Sequence, residues 1–517
     1  MLASVRSAGI LGIDAYVVDV EVDSASGLPA ISTVGLAQSA VKEGKERVLS
    51  AIQNSGFEMP PRKITINLAP ADIKKEGSHY DLPIACGLLA ATGQLRTDRL
   101  RGYALAGELG LDGALRPIRG ALSVADAVKR AGIPGLIVPA SNKSEASVIA
   151  GLDVRGAREL GEVVAFLDGR GEIARVKIDH SAFLRHNARS TVDLADVRGQ
   201  LYAKRALEVA AAGAHNILFV GPPGGGKTML ARRFPTILPD ISLSESIEVT
   251  KIHSVAGQLK PDSGLLAARP FRAPHHTISD AGLVGGGSVP RPGETSLAHH
   301  GVLFLDELTE FRRSALEVLR QPLEDGEVTI GRATGSLTYP ARFLLAGAMN
   351  PCPCGFLGDS RHRCRCTPRM VRRYRAKISG PLLDRIDLHI EVPPVSCPEL
   401  LEAGEAESSA EVAKRVDEAR RRQRKRFERD PGLYANAHMG ARAVRKFCET
   451  EETGLSMLRT AMTRFGLSAR SFHRVLKIAR TIADLDASDI VRASHVAEAI
   501  QYRGLDRRIS DGVTASP

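Results

Sequence analysis

Asn216-Ile217-Leu218-Phe219-Val220-Gly221-Pro222-Pro223-Gly224-Gly225-Gly226-Lys227-Thr228-Met229-Leu230-Ala231-Arg232-Arg233 decides how the chain is read. An apolar strand runs into a glycine-rich turn, and the turn opens a helix. The glycines let backbone N–H groups turn inward around phosphate oxygens at the positive end of the helix dipole. In this pattern Gly221, Pro222, Pro223, Gly224, Gly225 and Gly226 form the cradle. Lys227 reaches the β- and γ-phosphates, and Thr228 offers a hydroxyl to Mg²⁺. A glycine-rich turn can match by chance, but the strand before it and the helix after it argue against that.

Working outward, Val302-Leu303-Phe304-Leu305-Asp306-Glu307 is a second buried strand ending in two carboxylates. Asp306 is expected to hold Mg²⁺ through its water shell and Glu307 to polarise the attacking water. Phosphoryl transfer needs positioning and charge stabilisation more than covalent chemistry, so these few groups suffice. A third apolar strand, 343–349, ends at Asn350, an amide suited to orient the lytic water. Arg385, in the stretch 380–387, is a candidate finger for a neighbouring subunit's nucleotide.

These strings resemble the magnesium-chelatase-like branch of AAA+ ATPases, and within it the competence protein ComM (YifB) family, over essentially the whole chain. They include Phe271-Arg272-Ala273-Pro274-His275-His276-Thr277, Leu319-Arg320-Gln321-Pro322-Leu323-Glu324-Asp325-Gly326 and Met349-Asn350-Pro351-Cys352-Pro353-Cys354-Gly355. The resemblance implies ATP and Mg²⁺, a ring that is normally a hexamer, Asn350 as first sensor, Arg385 as trans finger and Arg470 as second sensor. It also implies DNA, single-stranded or branched, as the track, and branch migration during natural transformation as the activity.

The implied fold class is α/β. Residues 1–170 resemble the Lon protease domain, a ribosomal protein S5 domain 2-like fold, and 171–194 read as a linker. Residues 195–395 form the AAA+ core, with a candidate zinc loop at 352–366. Residues 396–510 form a helical lid, and 511–517 a frayed tail. In the first region Tyr16, Val18, Val20 and Val22 alternate with Val17, Asp19, Glu21 and Asp23, the period of a half-buried strand. Ile64, Ile66 and Leu68 repeat it, helices are expected near 37–54 and 81–93, and 132–139 reads as a short strand. In the third region Phe472, Val475, Leu476 and Ala479 fall at helical spacing. A working Lon-type protease needs a Ser–Lys dyad. Here the nucleophile position falls at His79, beside Ser78, and the lysine position falls near Val124. The domain therefore reads as a scaffold rather than a peptidase.

The chain has 517 residues, too many for one core, with 43% hydrophobic and 25% charged residues and a formal charge of +11. Surplus positive charge favours polyanions through counterion release. With no Trp and 4% aromatics, stacking on aromatic platforms is not the expected binding mode. Met1–Arg6 has no signal-peptide pattern, no apolar run is long enough to span a bilayer, and cytoplasmic residence is expected. Cys352, Cys354, Cys364 and Cys366 are two Cys-x-Cys pairs nine residues apart, a candidate structural Zn²⁺ site or else four reduced thiols in a loose loop. Cys86, Cys397 and Cys448 are isolated. Residues 361–377 hold seven Arg, one Lys and no acid, and 420–426 is a second basic run flanked by Asp417, Glu418 and Glu428. The first is expected to present Arg361, Arg363, Arg365, Arg369, Arg372 and Arg373 to DNA phosphates. Pairing four residues apart on a helix explains part of the second. His275 and His276 are expected to touch DNA or line the subunit joint and to carry no catalytic role. A Lon-like protease and a protein-remodelling ATPase are the rival readings.

Overall fold

The computed structural model describes residues 1–36, 38–176, 192–260, 263–287, 290–332, 335–359, 361–394, 406–430, 432–465 and 468–503. Cys397, most of the expected linker and the tail from 504 onward lie outside them.

The alternation at 16–23 belongs to the strand Asp14–Ala25, which pairs antiparallel with Leu2–Leu11, Leu2 opposite Asp23 and Leu11 opposite Asp14. Lys63–Ala69 pairs on its other side, so that Val18, Val20, Val22, Ile64, Ile66 and Leu68 share one buried face. The sheet has seven strands, in the order Ala30–Val34, Lys63–Ala69, Asp14–Ala25, Leu2–Leu11, Tyr103–Leu105, Gly135–Pro139 and Asp153–Ala157. Helices Asp81–Ala91 and Ala121–Arg130 pack on it. Asp81–Ala91 is buried on all sides, which is why its sequence is apolar all round. Residues 171–176, assigned to the linker on sequence, rest on this body: Ile173 is in its core and Arg175 bridges to Arg155.

The second body has five parallel strands, ordered Phe271–Arg272, Val302–Leu305, Leu344–Met349, Ile217–Val220 and Leu388–Glu391. The strands Ile217–Val220 and Val302–Leu305 are buried at every residue, as continuous apolar runs require in a helix-covered parallel sheet. Helices Ser409–Arg426, Ala441–Phe447, Glu452–Phe465, Ala469–Leu485 and Ala493–Gln501 follow. They share one continuous hydrophobic cluster with the sheet, so this region has no separate core. Val475, Leu476 and Ala479 face inward and Phe472 packs at its edge.

The first body meets the second through helix Leu243–Val255. Gly120 N–H donates to Ser254 Oγ at 2.8 Å, Lys251 pairs with Asp126 at 2.7 Å, and Leu122, Val148 and Leu265 close an apolar seam. Among the described residues no helix is long and apolar enough to cross a membrane.

Candidate functional site

Strand order builds the site. The strand Leu344–Met349 lies between Ile217–Val220 and Val302–Leu305, so Asn350 arrives between the phosphate loop and the acidic strand end. Lys227 Nζ donates to Gly221 O at 2.7 Å, Pro222 O at 2.8 Å and Asn350 Oδ1 at 3.2 Å. Burial lowers the Lys227 pKa, against the pull of Asp306 and Glu307. Thr228 Oγ1 donates to Asp306 Oδ2 at 2.7 Å.

The loop glycines are needed for two different reasons. A Cβ on Gly221 would sit 2.1 Å from Val392 O, which is too close for any side chain. At Gly224 and Gly226 space is free, but φ is +76° and +86°, which favours glycine. The helix Lys227–Arg233 begins directly at this turn, and its first amides have no intrahelical acceptor. A hydroxyl bonded to a carboxylate, an ammonium beside them and free helix-start amides form a donor set that fits a Mg²⁺-bound polyphosphate.

Glu307 sits at φ +52°, a left-handed conformation costly for a side-chain-bearing residue, and its carboxylate is exposed. Its N–H donates to Asp306 Oδ1 at 2.9 Å, and His276 Nδ1 approaches its Oε2 at 3.5 Å. His276 stacks on His275 at 4.1 Å and meets the edge of Phe311. The histidine pair, expected to carry no catalytic role, thus places His276 beside the carboxylate of Glu307. Sequence offered only adjacency of two histidines, and the contact is made across 31 residues.

A cavity of about 1200 Å³ opens beside the phosphate loop, lined by Gly199, Gln200, Tyr202, Gly221, Pro222 and Val392 among others. Gln200, at φ +55°, donates to Gly225 O and Pro393 O. Sequence reasoning named Gly221 and Pro222 but missed the rest of this wall, because its residues come from segments near 200, 392 and 412 with no shared motif.

Arg385 is not on its own chain's phosphate loop. It donates to Pro381 O at 2.6 Å and pairs with Glu324. Arg470 is exposed on the first turn of helix Ala469–Leu485, with no hydrogen bond or ion pair to the loop among the described residues. The four cysteines 352, 354, 364 and 366 converge, with all four sulfurs within 4.8 Å of one another. Glu248, His299 and His300 also converge. There, however, His299 Nδ1 accepts the Arg342 N–H, so its Nε2 carries the proton and donates to Glu248; that trio is a hydrogen-bonded knot rather than a metal site.

In the first body Ser78 Oγ donates to Glu108, while the buried Lys75 Nζ is spent on Ile73 O at 2.8 Å. His79 and Val124 are buried. No lysine amine bonds Ser78 among the described residues.

Family models for "Magnesium chelatase, subunit ChlI" match residues 193–400, "Subunit ChlI of Mg-chelatase" residues 20–142, and "Magnesium chelatase, subunit ChlI C-terminal" residues 406–503. The chain is 46% identical over 510 residues to the uncharacterized protein YifB of Escherichia coli (strain K12), covering 98% of each chain. It is 42% identical over 508 residues to competence protein ComM of Haemophilus influenzae, again covering 98% of each. The magnesium-chelatase 38 kDa subunit of Rhodobacter capsulatus is 28% identical over 172 residues, covering 30% of this chain and 48% of that protein.

Proposed function

The chain belongs to the ComM/YifB family of magnesium-chelatase-like AAA+ proteins, and from that premise we propose that it is an ATP-hydrolysing DNA motor. It works in the cytoplasm as a homo-hexameric ring on single-stranded or branched DNA and promotes branch migration when incoming DNA recombines in natural transformation. The observation that carries the ATP-hydrolysing part of this reading is the bonded cluster of Lys227, Thr228, Asp306 and Asn350, with Glu307 beside it.

In this reading the loop amides and Lys227 bind the phosphates, and the base lies in the cavity against Gly199 and Tyr202. Thr228 and Asp306 hold Mg²⁺, which when bound supplies positive charge against the β- and γ-phosphates. Glu307 orients and polarises the attacking water, with His276 steadying its carboxylate. Asn350 touches both the water and Lys227. Arg385 stabilises transition-state charge on a neighbour's nucleotide, and Arg470 closes the lid over its own chain's nucleotide.

Glu307→Gln tests the chemistry. It should keep ATP affinity and lose turnover by about 10² or more, since the Mg²⁺ partner Asp306 is untouched. Equal hydrolysis by both proteins would remove Glu307 from its role. Arg385→Ala should cost about 10³ in rate, and mixing it with Lys227→Ala subunits should restore part of the activity at intact joints. Full activity of Arg385→Ala alone would exclude the finger.

A further inference from the structure

The four thiols close a loop that is itself a wall of the nucleotide cavity. The Sγ–Sγ distances are 3.4 Å for Cys352–Cys354, 3.7 Å for Cys352–Cys364 and 3.6 Å for Cys354–Cys364. A tetrahedral zinc with bonds of about 2.3 Å needs sulfurs roughly 3.8 Å apart, whereas a disulfide needs about 2.05 Å. These separations lie near the tetrahedral value and far from a disulfide's, and Cys366 completes the set within 4.8 Å. Between the pairs, Gly355-Phe356-Leu357-Gly358-Asp359-Ser360-Arg361-His362-Arg363 has too few apolar residues to hold itself together. Among its described residues Phe356 tilts against His362 at 4.8 Å, and Asp359 accepts from the Arg361 and His362 N–H groups, a turn rather than a core.

The other face of this loop touches the site. A Cβ on Gly355 would lie 2.8 Å from Pro223 Cδ and 4.0 Å from the Asn350 side chain. Pro351, Leu357, Gly358 and Arg375 line the 1200 Å³ cavity, and Arg375 Nε donates to Pro351 O at 3.3 Å. The loop thus leans on the phosphate loop, directly after the residue that contacts Lys227.

We propose that Cys352, Cys354, Cys364 and Cys366 hold one Zn²⁺, and that this ion is the clasp fixing residues 351–358 as a wall of the ATP cavity. Each thiol that binds gives its proton to solvent, and no electrons move. From sequence alone the loop was expected to serve DNA contact first. Its packing against Pro223 makes nucleotide affinity the property that depends on the ion most directly. This inference rests on the cavity being the ATP site.

Zinc content, far-UV circular dichroism and titration with the fluorescent analogue mant-ATP, measured on the same preparations, test it. Wild type should carry about one Zn²⁺ per chain. Folded, zinc-free Cys364→Ser, or wild type stripped with phenanthroline should the variant fail to fold, should bind mant-ATP about tenfold more weakly, because the loop must then be ordered at the expense of binding energy. Adding Zn²⁺ back to stripped wild type should restore affinity. Gly355→Ala should keep its zinc and still bind more weakly, since it is the contact with Pro223 that is pushed apart. Zinc-free wild type as purified, or zinc-free folded protein with wild-type affinity, would overturn the proposal, as would a loss of forked-DNA affinity with mant-ATP binding unchanged. Wild type that carries zinc but fails to bind mant-ATP would instead bring down the ATP-site reading on which the proposal rests.

Discussion

Residues 361–377 and 420–426 are both arginine-rich and differ in what most of their arginines do. On helix Ser409–Arg426, Arg420 donates to Ala211 O, Arg421 and Arg422 pair with Glu418, and Arg426 reaches Asn436 and the buried Asp484. Gln423, amid them, bonds Ala212 O. Arg420, Gln423 and Arg426 thus fasten the helix to the core helix Leu201–Gly213, to Asn436 and to Ala469–Leu485, while Arg421 and Arg422 pair within their own helix. In the other stretch, Val371 and Tyr374 are the buried residues of helix Pro368–Arg375. Arg363, Arg365, Arg369, Arg372 and Arg373 are exposed, and their guanidinium groups have no ion pair or hydrogen bond among the described residues. Charge density alone does not separate a strut from a phosphate contact. The difference lies in whether neighbouring elements offer carboxylates and carbonyls to the helix face, and unpaired guanidinium groups are the ones left free for an external polyanion, DNA in the proposed function.

The strongest way to break this comparison is at Asp484, which also holds the buried Arg480. Asp484→Ala should cost about 4 kcal/mol, because it strands two guanidinium groups in the interior. Denaturant unfolding checks it, and a loss below about 1 kcal/mol would mean that the run is not structural.

Acid separates stability from DNA contact, since arginines do not titrate. His299 is 1% exposed, and burial holds it down to about 4. Between that value and the ordinary 6.5 the unfolded chain binds the extra proton, so stability is lost as pH falls from 6.5 towards 4. The loss is up to about 3 kcal/mol. Urea midpoints at pH 7 and pH 4.5 should show it, with a shallower slope in His299→Gln. A flat profile would contradict it.

Reversal of Arg372 and Arg373 to Glu should leave the melting temperature unchanged and weaken binding to all DNA sequences alike, by about tenfold. The slope of log affinity against log salt should become shallower by roughly 2. An unchanged slope would make the stretch a solvated surface. Smallest of all, Arg421→Ala should stay within about 0.5 kcal/mol of wild type and bind DNA as before, because the Arg421–Glu418 pair is exposed.

The contrast also marks what was legible. The phosphate loop, the acidic strand end and Asn350 are each announced by a few adjacent residues, and parallel pairing of three apolar strands then brings their ends together. The Asp14–Ala25 strand was legible because its alternation has the sheet's own period. What depended on distant segments was not legible. Gln200 crosses to Pro393, His276 turns toward Glu307, and the cysteine loop folds back onto Pro223. The fate of each arginine run was hidden for the same reason: Glu418 is local and was foreseen, but Asp484 and Ala211 are not.

The central claim is that ATP turnover at this site drives work on DNA. The direct measurement is the wild-type ATPase rate with no polymer, with single-stranded DNA, with forked DNA and with unfolded protein, using Glu307→Gln as the zero. The account predicts a low basal rate raised several-fold by DNA, most by the fork, and unmoved by protein. A rate indifferent to DNA, or one raised by unfolded protein alone, would contradict it.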